Sequence, residues 1–338
     1  MNKHKILALS VTVLFLVLIF YKIDWLKLLE TFKTFNFKYL WIIAPLYYLT
    51  LYLRGIRWKA LLMDDKKYSS YHLGAVFTVG SMLNIFLPAR AGDIYRAYYL
   101  GENKNESKMK IFGSIILERT EDGISVFLIL LTAILFYCKN NPVITGLAYT
   151  IGFIFIGSML AFYLIFKFNK INEICNYFIK ISDKLKLTSI SHLIENLKKH
   201  AISFMDGFGV LDNFWLTAKS AILSIILWGI ECYVAYLIIS SFNLNLPFSS
   251  ALFVLSLISF STMLPSTSVF LGPYQYAYII ALSIYVIDKS TTLAISTVHQ
   301  TILMLLLTFV GLYYLIKFNF SLKQIKEIKR KEKTSEQN

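Results

Sequence analysis

Apolar stretches recur along this chain at 6–21, 39–53, 111–137, 143–166, 220–242 and 291–316. A bilayer core is crossed by about 20 mainly apolar helical residues, and only such helices or closed barrels can satisfy their backbone inside it. So many stretches exclude a water-soluble globular enzyme. Composition agrees, since 57% of the 338 residues are hydrophobic and only 16% are charged, where a soluble domain carries roughly 25% charged residues. The expected fold is all-α and polytopic. Residues 1–5 and 6–21 have the layout of a signal sequence, but Tyr21-Lys22-Ile23-Asp24 offers no small-residue cleavage site, so this segment is expected to be a retained anchor.

Two further apolar regions are interrupted. Region 71–100 is broken by Leu87-Pro88-Ala89-Arg90-Ala91-Gly92-Asp93, and region 248–287 by Leu264-Pro265 and then Gly272-Pro273. Proline cannot continue a helix and glycine weakens one, so each region reads as two half-helices around a non-helical tip.

Charge sets the orientation, because Lys and Arg are retained on the cytoplasmic side of a membrane. If each broken region enters and leaves on one side, 25 of the 34 Lys and Arg share a face with both termini and 6 lie opposite. Six full spans and two re-entrant hairpins follow, with the hairpins opening toward opposite faces. The halves 1–166 and 220–316 then have inverted topology within one membrane domain, joined by a cytoplasmic linker at 167–219 and followed by a basic tail at 317–338. Leu87-Pro88 before Gly92-Asp93-Ile94-Tyr95-Arg96-Ala97-Tyr98 echoes Leu264-Pro265 before Gly272-Pro273-Tyr274-Gln275-Tyr276-Ala277-Tyr278. Interrupted segments at matching places in two halves point to a transporter's binding site. In the linker, Ile171, Ile174, Phe178, Ile181 and Leu185 recur at helical spacing among lysines, as in a helix lying on an anionic leaflet.

Ionisable residues at membrane depth are costly and therefore functional candidates. Arg90, Asp93 and Arg96 flank the first break, where a helix start with Gly92 or Asp93 as cap would face an anion with free N–H groups. Their guanidinium forks suit phosphate oxygens; the alternative is that both arginines reach back to the interface while Asp93 caps the helix. Glu118, Arg119 and Asp122 form a second cluster that either lines a polar cavity or docks its helix through ion pairs. Arg54 and Arg57 stand one turn apart, as headgroup ligands or as interfacial anchors. Glu231 is alone among apolar residues and must face a cavity or a cation. His299, beside Gln300, is either a hydrogen-bond partner for it or simply interfacial, while Gln275 follows the second break and Asn84 could satisfy loosened backbone at the first.

Cys138, Cys175 and Cys232 are widely spaced, and the five histidines form no HExxH pair, so neither a metal site nor a disulfide framework is expected. No P-loop or GxSxG elbow is present. No cofactor and no nucleic-acid partner are expected.

The block Asn84-Ile85-Phe86-Leu87-Pro88-Ala89-Arg90-Ala91-Gly92-Asp93-Ile94-Tyr95-Arg96 resembles the signature of the flippase-like family, also called the lysylphosphatidylglycerol synthase transmembrane region. Arg54-Gly55-Ile56-Arg57-Trp58, Glu118-Arg119-Thr120-Glu121-Asp122 and Gly272-Pro273 fit the same pattern in order. The resemblance implies a lipid-translocating membrane domain in the inner membrane. In the best-known member, the bacterial multiple peptide resistance factor, that domain is coupled to a cytoplasmic aminoacyl-lipid synthase, for which no counterpart is expected in these residues. The implied ligands are membrane lipids with anionic phosphate headgroups, and the implied partner is a separate lipid synthase or glycosyltransferase. Two other functions stay open at this point: a membrane enzyme with Glu118 or Asp122 as general base, and a non-catalytic partner subunit of a synthase.

Overall fold

The computed structural model describes residues 17–21, 23–63, 68–87, 90–137, 188–262 and 272–320, with isolated positions at 15, 146, 149, 150, 153, 157 and 176. The predicted span at 143–166, the helical face from Ile171 to Leu185, Pro88, Pro265 and the tail beyond 320 lie outside the continuously described segments.

Every regular element among the described residues is helical. In chain order these are α1 (Trp25–Lys33), α2 (Leu40–Leu61), α3 (Ser70–Phe86), α4 (Ala91–Lys104), α5 (Lys108–Tyr137), α6 (Thr188–Asp206), α7 (Phe214–Ser240), α8 (Ser249–Ser261), α9 (Pro273–Ser283) and α10 (Lys289–Lys317). Side-chain caps start several of them: Asp24 accepts from the Lys27 amide, Ser69 from His72, Asn213 from Leu216 and Asp288 from Thr291. Helices α7 and α10 are long and apolar enough to cross a bilayer by length and composition. The second predicted span is longer than its apolar run suggested, because α2 continues through Arg54 and Arg57 to Leu61.

Both broken regions are helical hairpins. Helices α3 and α4 form the first, and α8 and α9 the second. The packing repeats: α2 on α3, α3 on α4 and α4 on α5 in the first half match α7 on α8, α8 on α9 and α9 on α10 in the second. Each hairpin also packs on the long helix of the other half, α3 on α10 and α8 on α5.

The hairpins open at opposite ends of the bundle. At one end Lys27 pairs with Asp288 at 2.8 Å and the Asn36 amide donates to the Ser241 carbonyl. There α7 ends, α10 begins, and the Ser249 hydroxyl meets the Tyr285 hydroxyl at the mouth of the second hairpin. The hydrogen bond to Asp288 also raises the Lys27 ammonium above its ordinary pKa. At the other end Lys317 donates to the Tyr71 hydroxyl at 3.1 Å and Tyr99 packs edge-on against Phe320, which places both legs of the first hairpin beside the end of α10. Exposed Trp25 and Trp41 mark the first end and exposed Phe214 and Trp215 the second, as aromatic residues do at the two interfaces of a membrane protein.

Close helix approach in the first half relies on glycine. A Cβ on Gly92 of α4 would overlap the Gly80 carbonyl oxygen of α3, and one on Gly55 of α2 would overlap the Ser70 carbonyl oxygen of α3. Backbones that touch this closely gain dispersion contact where lipid offers no hydrophobic drive for association. Two outcomes follow. Gly92→Val is expected to lower stability by about 1–3 kcal/mol, read as a drop in melting temperature in detergent. In a chain with Cys138 and Cys175 replaced by Ser and Cys232 by Ala, Lys33→Cys and Asn103→Cys are expected to react with an impermeant maleimide from opposite sides of a sealed vesicle. Labelling of both from one side would contradict the inverted arrangement.

Candidate functional site

Charged side chains from four helices converge in the first half of the bundle. Arg54 and Arg57 lie one turn apart on α2, and Asp93 and Arg96 one turn apart on α4. Glu118 and Asp122 lie one turn apart on α5 with Arg119 between them, and Glu231 comes from the middle of α7. These i, i+3 and i, i+4 spacings place each pair on one helix face, and here all the faces meet.

Six of these groups form a closed ring of alternating sign. Arg57 Nη1 is 2.6 Å from Asp122 Oδ1, Asp122 Oδ2 is 3.8 Å from Arg119 Nη1, and Arg119 Nη2 is 3.0 Å from Asp93 Oδ1. The ring continues from Asp93 Oδ1 to Arg96 Nη1 at 3.7 Å, from Arg96 Nη2 to Glu118 Oε2 at 2.6 Å, and from Glu118 Oε1 back to Arg57 Nη2 at 3.2 Å. Arg54 extends it as an arm, 3.6 Å from Asp122 and 3.2 Å from Glu231. Four guanidiniums are thus matched by four carboxylates. Arg57, Arg96 and Glu118 are fully buried. Aromatic faces complete the surroundings: the Arg96 guanidinium sits 4.0 Å from the Trp58 ring and 4.7 Å from the Phe77 ring, a cation–π arrangement that favours a desolvated cation. Glu121, also on α5, accepts from the Ser220 and Ser224 hydroxyls of α7.

This geometry assigns several predicted residues to internal pairing. Arg54 and Arg57 do not extend to an interface, and Arg96 is closed off from any ligand by its partners. Glu118 is held between two guanidiniums and has no open approach for proton abstraction from a substrate. His299 does not partner Glu231; its Nδ1 pairs with the Tyr278 hydroxyl at 2.6 Å, while Glu231 is taken by Arg54. The cap of α4 is neither Gly92 nor Asp93 but Arg90, whose backbone is left-handed at φ 52°. Asn84 satisfies backbone across the break, accepting from the Gly92 amide at 2.8 Å and donating to Asp93 at 3.1 Å. One of the helix-start N–H groups expected to face an anion is therefore already engaged.

The second half repeats this wiring without charge. Gln275 and Tyr278 are the third and sixth residues of α9, as Asp93 and Arg96 are of α4. His299 and Gln300 are the eleventh and twelfth of α10, as Glu118 and Arg119 are of α5. Arg96–Glu118 corresponds to Tyr278–His299, and Asp93–Arg119 to Gln275–Gln300, whose amides bond at 2.6 Å. The equivalence pairs Arg90 with Gly272, two residues from the alignment that the sequence echo suggested. Both start their helices with positive φ.

Between the hairpin tips lies a cleft of about 150 Å³ lined by Tyr47, Ile85, Thr262, Tyr274, Gln300, Leu303, Met304 and Leu307. None of the predicted polar-cavity residues (Asn84, Glu118, Arg119, Asp122, Glu231, Gln275 and His299) lines it. Arg90 is exposed beside it and reaches from the first tip to the Thr262 carbonyl of the second, at 3.5 Å. Among the described residues, Arg90 forms no ion pair. Tyr47 and Tyr274 were missed as site residues. The signal available for this wall was the helical stripe Gln300, Leu303, Met304 and Leu307, one face of α10.

Two oppositely opening hairpins around an internally neutralised charge cluster define a polytopic membrane protein built on inverted repeats. The chain belongs to the lysylphosphatidylglycerol synthase transmembrane-region family, whose model matches residues 5–311. It is 28% identical over 240 residues to a UPF0104 membrane protein of Methanocaldococcus jannaschii, a match that covers 70% of this chain and 95% of that one. No solved structure matches.

The ring makes a measurable demand. Glu118→Gln removes the carboxylate between Arg57 and Arg96 and is expected to cost about 3–5 kcal/mol, the usual penalty for stranding a buried charge. Adding Arg96→Met to that variant should return part of the loss, read by melting temperature in detergent. A double variant no more stable than Glu118→Gln alone would show that Arg96 and Glu118 are not coupled.

Proposed function

We propose that this protein moves a lipid with an anionic phosphate headgroup between membrane leaflets, with Arg90 as the headgroup ligand. The observation that supports this reading is the contrast among the arginines. Four are matched one for one by carboxylates, whereas Arg90, at the lip of a cleft between the two hairpins, has no carboxylate partner among the described residues. A guanidinium kept at such a place without a carboxylate suits a phosphate, to which it offers two parallel donors. Arg54, Arg57, Asp93 and Arg96 act here by holding the helices that present Arg90. The reading places the chain in the cytoplasmic membrane with both termini on the cytoplasmic side, in line with the positive-inside distribution. A separate lipid synthase or glycosyltransferase would supply or consume the lipid.

Reconstitution into liposomes with headgroup-labelled lipids tests it. Anionic phospholipid is expected to cross faster than in protein-free vesicles, Arg90→Gln to slow this at least tenfold with normal abundance and monodispersity, and Arg90→Lys to retain part of the rate. Equal rates for wild type and Arg90→Gln would sink the assignment.

A further inference from the structure

One carboxylate beside the charge cluster takes no part in its pairing. Glu121 faces α7, where its Oε2 accepts from the Ser220 hydroxyl at 2.6 Å and lies 3.3 Å from that of Ser224. Among the described residues it forms no ion pair, in contrast to Asp93, Glu118, Asp122 and Glu231. Arg57 approaches it only through Ser224, whose Oγ accepts from Arg57 Nη1 at 2.9 Å. Ser220 lies more than a turn beyond the interfacial Trp215 on α7. The carboxylate is therefore at membrane depth, where an unpaired charge is costly and is relieved by taking up a proton. Glu121 is half-buried, so a proton can reach it.

The contacts fit both protonation states. A hydroxyl carries one hydrogen and rotates to suit its acceptor, and that of Ser224 has two in reach, Glu121 and the Ser220 carbonyl at 3.0 Å. It turns to the carboxylate when Glu121 is ionised and to the carbonyl when Glu121 is neutral. The charges facing Glu121 are Arg57 from α2 and Asp122 beside it on α5. On α7, Glu231 is taken by Arg54, and Lys219 makes no ion pair among the described residues. Helix α8 carries no ionisable side chain, Asp93 and Arg96 of α4 are held in the ring, and α6 meets α5 more than two turns away, at Gly113.

Charge balance joins this residue to Arg90. Arg90 is the cation left over from the matched pairs and Glu121 the carboxylate left over, so an anionic headgroup on Arg90 adds one negative charge that a proton on Glu121 cancels. We infer that Glu121 is a proton-binding site linked to the headgroup at Arg90, so that each lipid anion is carried with one proton. The step adds one aqueous proton to a Glu121 carboxylate oxygen, giving the neutral acid; no other bond changes. This rests on the transport reading and adds to it what drives the lipid.

Infrared difference spectra of the full-length protein in neutral detergent, taken between about pH 9 and about pH 6, a window above the ordinary carboxylate range, test it. Wild type is expected to gain the C=O band of a protonated carboxylic acid as pH falls, and Glu121→Gln, the neutral isostere, to lack it. Glu121→Asp replaces Glu121→Gln if the latter is not monodisperse, and should move the band. Adding dihexanoyl phosphatidylglycerol, whose phosphate stays charged throughout, should bring the band in about one pH unit higher, a tenfold change in proton affinity. Arg90→Gln should remove that shift. In liposomes with headgroup-labelled phosphatidylglycerol, a gradient of about one pH unit, acid on the side where the label starts, should speed wild-type translocation about threefold to tenfold and leave Glu121→Gln unaffected. Identical wild-type and Glu121→Gln spectra, or a band that ignores the lipid, overturns the inference; so does translocation that follows sodium at constant pH. The transport reading fails separately: a lipid-linked band in a protein that moves no lipid keeps the proton site and removes transport. Translocation indifferent to the gradient in wild type does the reverse.

Discussion

A charge inside an apolar bundle persists only where an opposite charge neutralises it, and this constraint organises the first half of the protein. Arg57, Arg96 and Arg119 alternate with Glu118, Asp122 and Asp93 so that each guanidinium lies between two carboxylates and each carboxylate between two guanidiniums. Such pairs add little net stability, because desolvation offsets most of their attraction. Their consequence is geometric. Helices α2, α4 and α5 share one register, and Arg54 with Glu231 extends that register to α7. The first hairpin is thereby held against the bundle at the height where Arg90 emerges.

Arg90 itself sits in a costly conformation. A left-handed backbone at a residue with a Cβ costs about 1–2 kcal/mol. The second hairpin avoids that cost at the equivalent position with Gly272, at φ 97°. Both hairpins thus enter their second helix through a residue of positive φ, but with different ψ, 41° at Arg90 and −73° at Gly272, and only the first keeps a side chain there.

Much of this architecture was legible in the primary structure. Pro88 and Pro265 interrupt runs that would otherwise read as single spans, and the skewed lysine distribution separates the hairpin mouths. What could not be read was which charges would meet. The Glu118–Asp122 spacing gives a shared helix face, but that the face meets Arg57 and Arg96 depends on close approaches at Gly55 and Gly92, fixed by tertiary packing rather than local pattern. The partner of Glu231 is hidden for a related reason: Arg54 stands at the end of an apolar run, yet α2 continues past it to Leu61 and brings it to Glu231, which leaves His299 to Tyr278. The cleft was illegible because its walls come from α2, both hairpins and α10, and its apolar stripe resembles any lipid-facing or packing face. The repeat was visible as an echo, but its register was masked because the equivalent residues, Arg96 with Tyr278 and Glu118 with His299, share no chemistry.

That mismatch makes the bundle mechanically lopsided. Parting α4 from α5 would strand buried ions, at several kcal/mol for each pair broken. Parting α9 from α10 exchanges neutral hydrogen bonds such as Tyr278–His299 and Gln275–Gln300, each near 1 kcal/mol. The α4–α5 contact is consequently the costlier of the two to open, and a separation of packed helices meets its smaller penalty between α9 and α10.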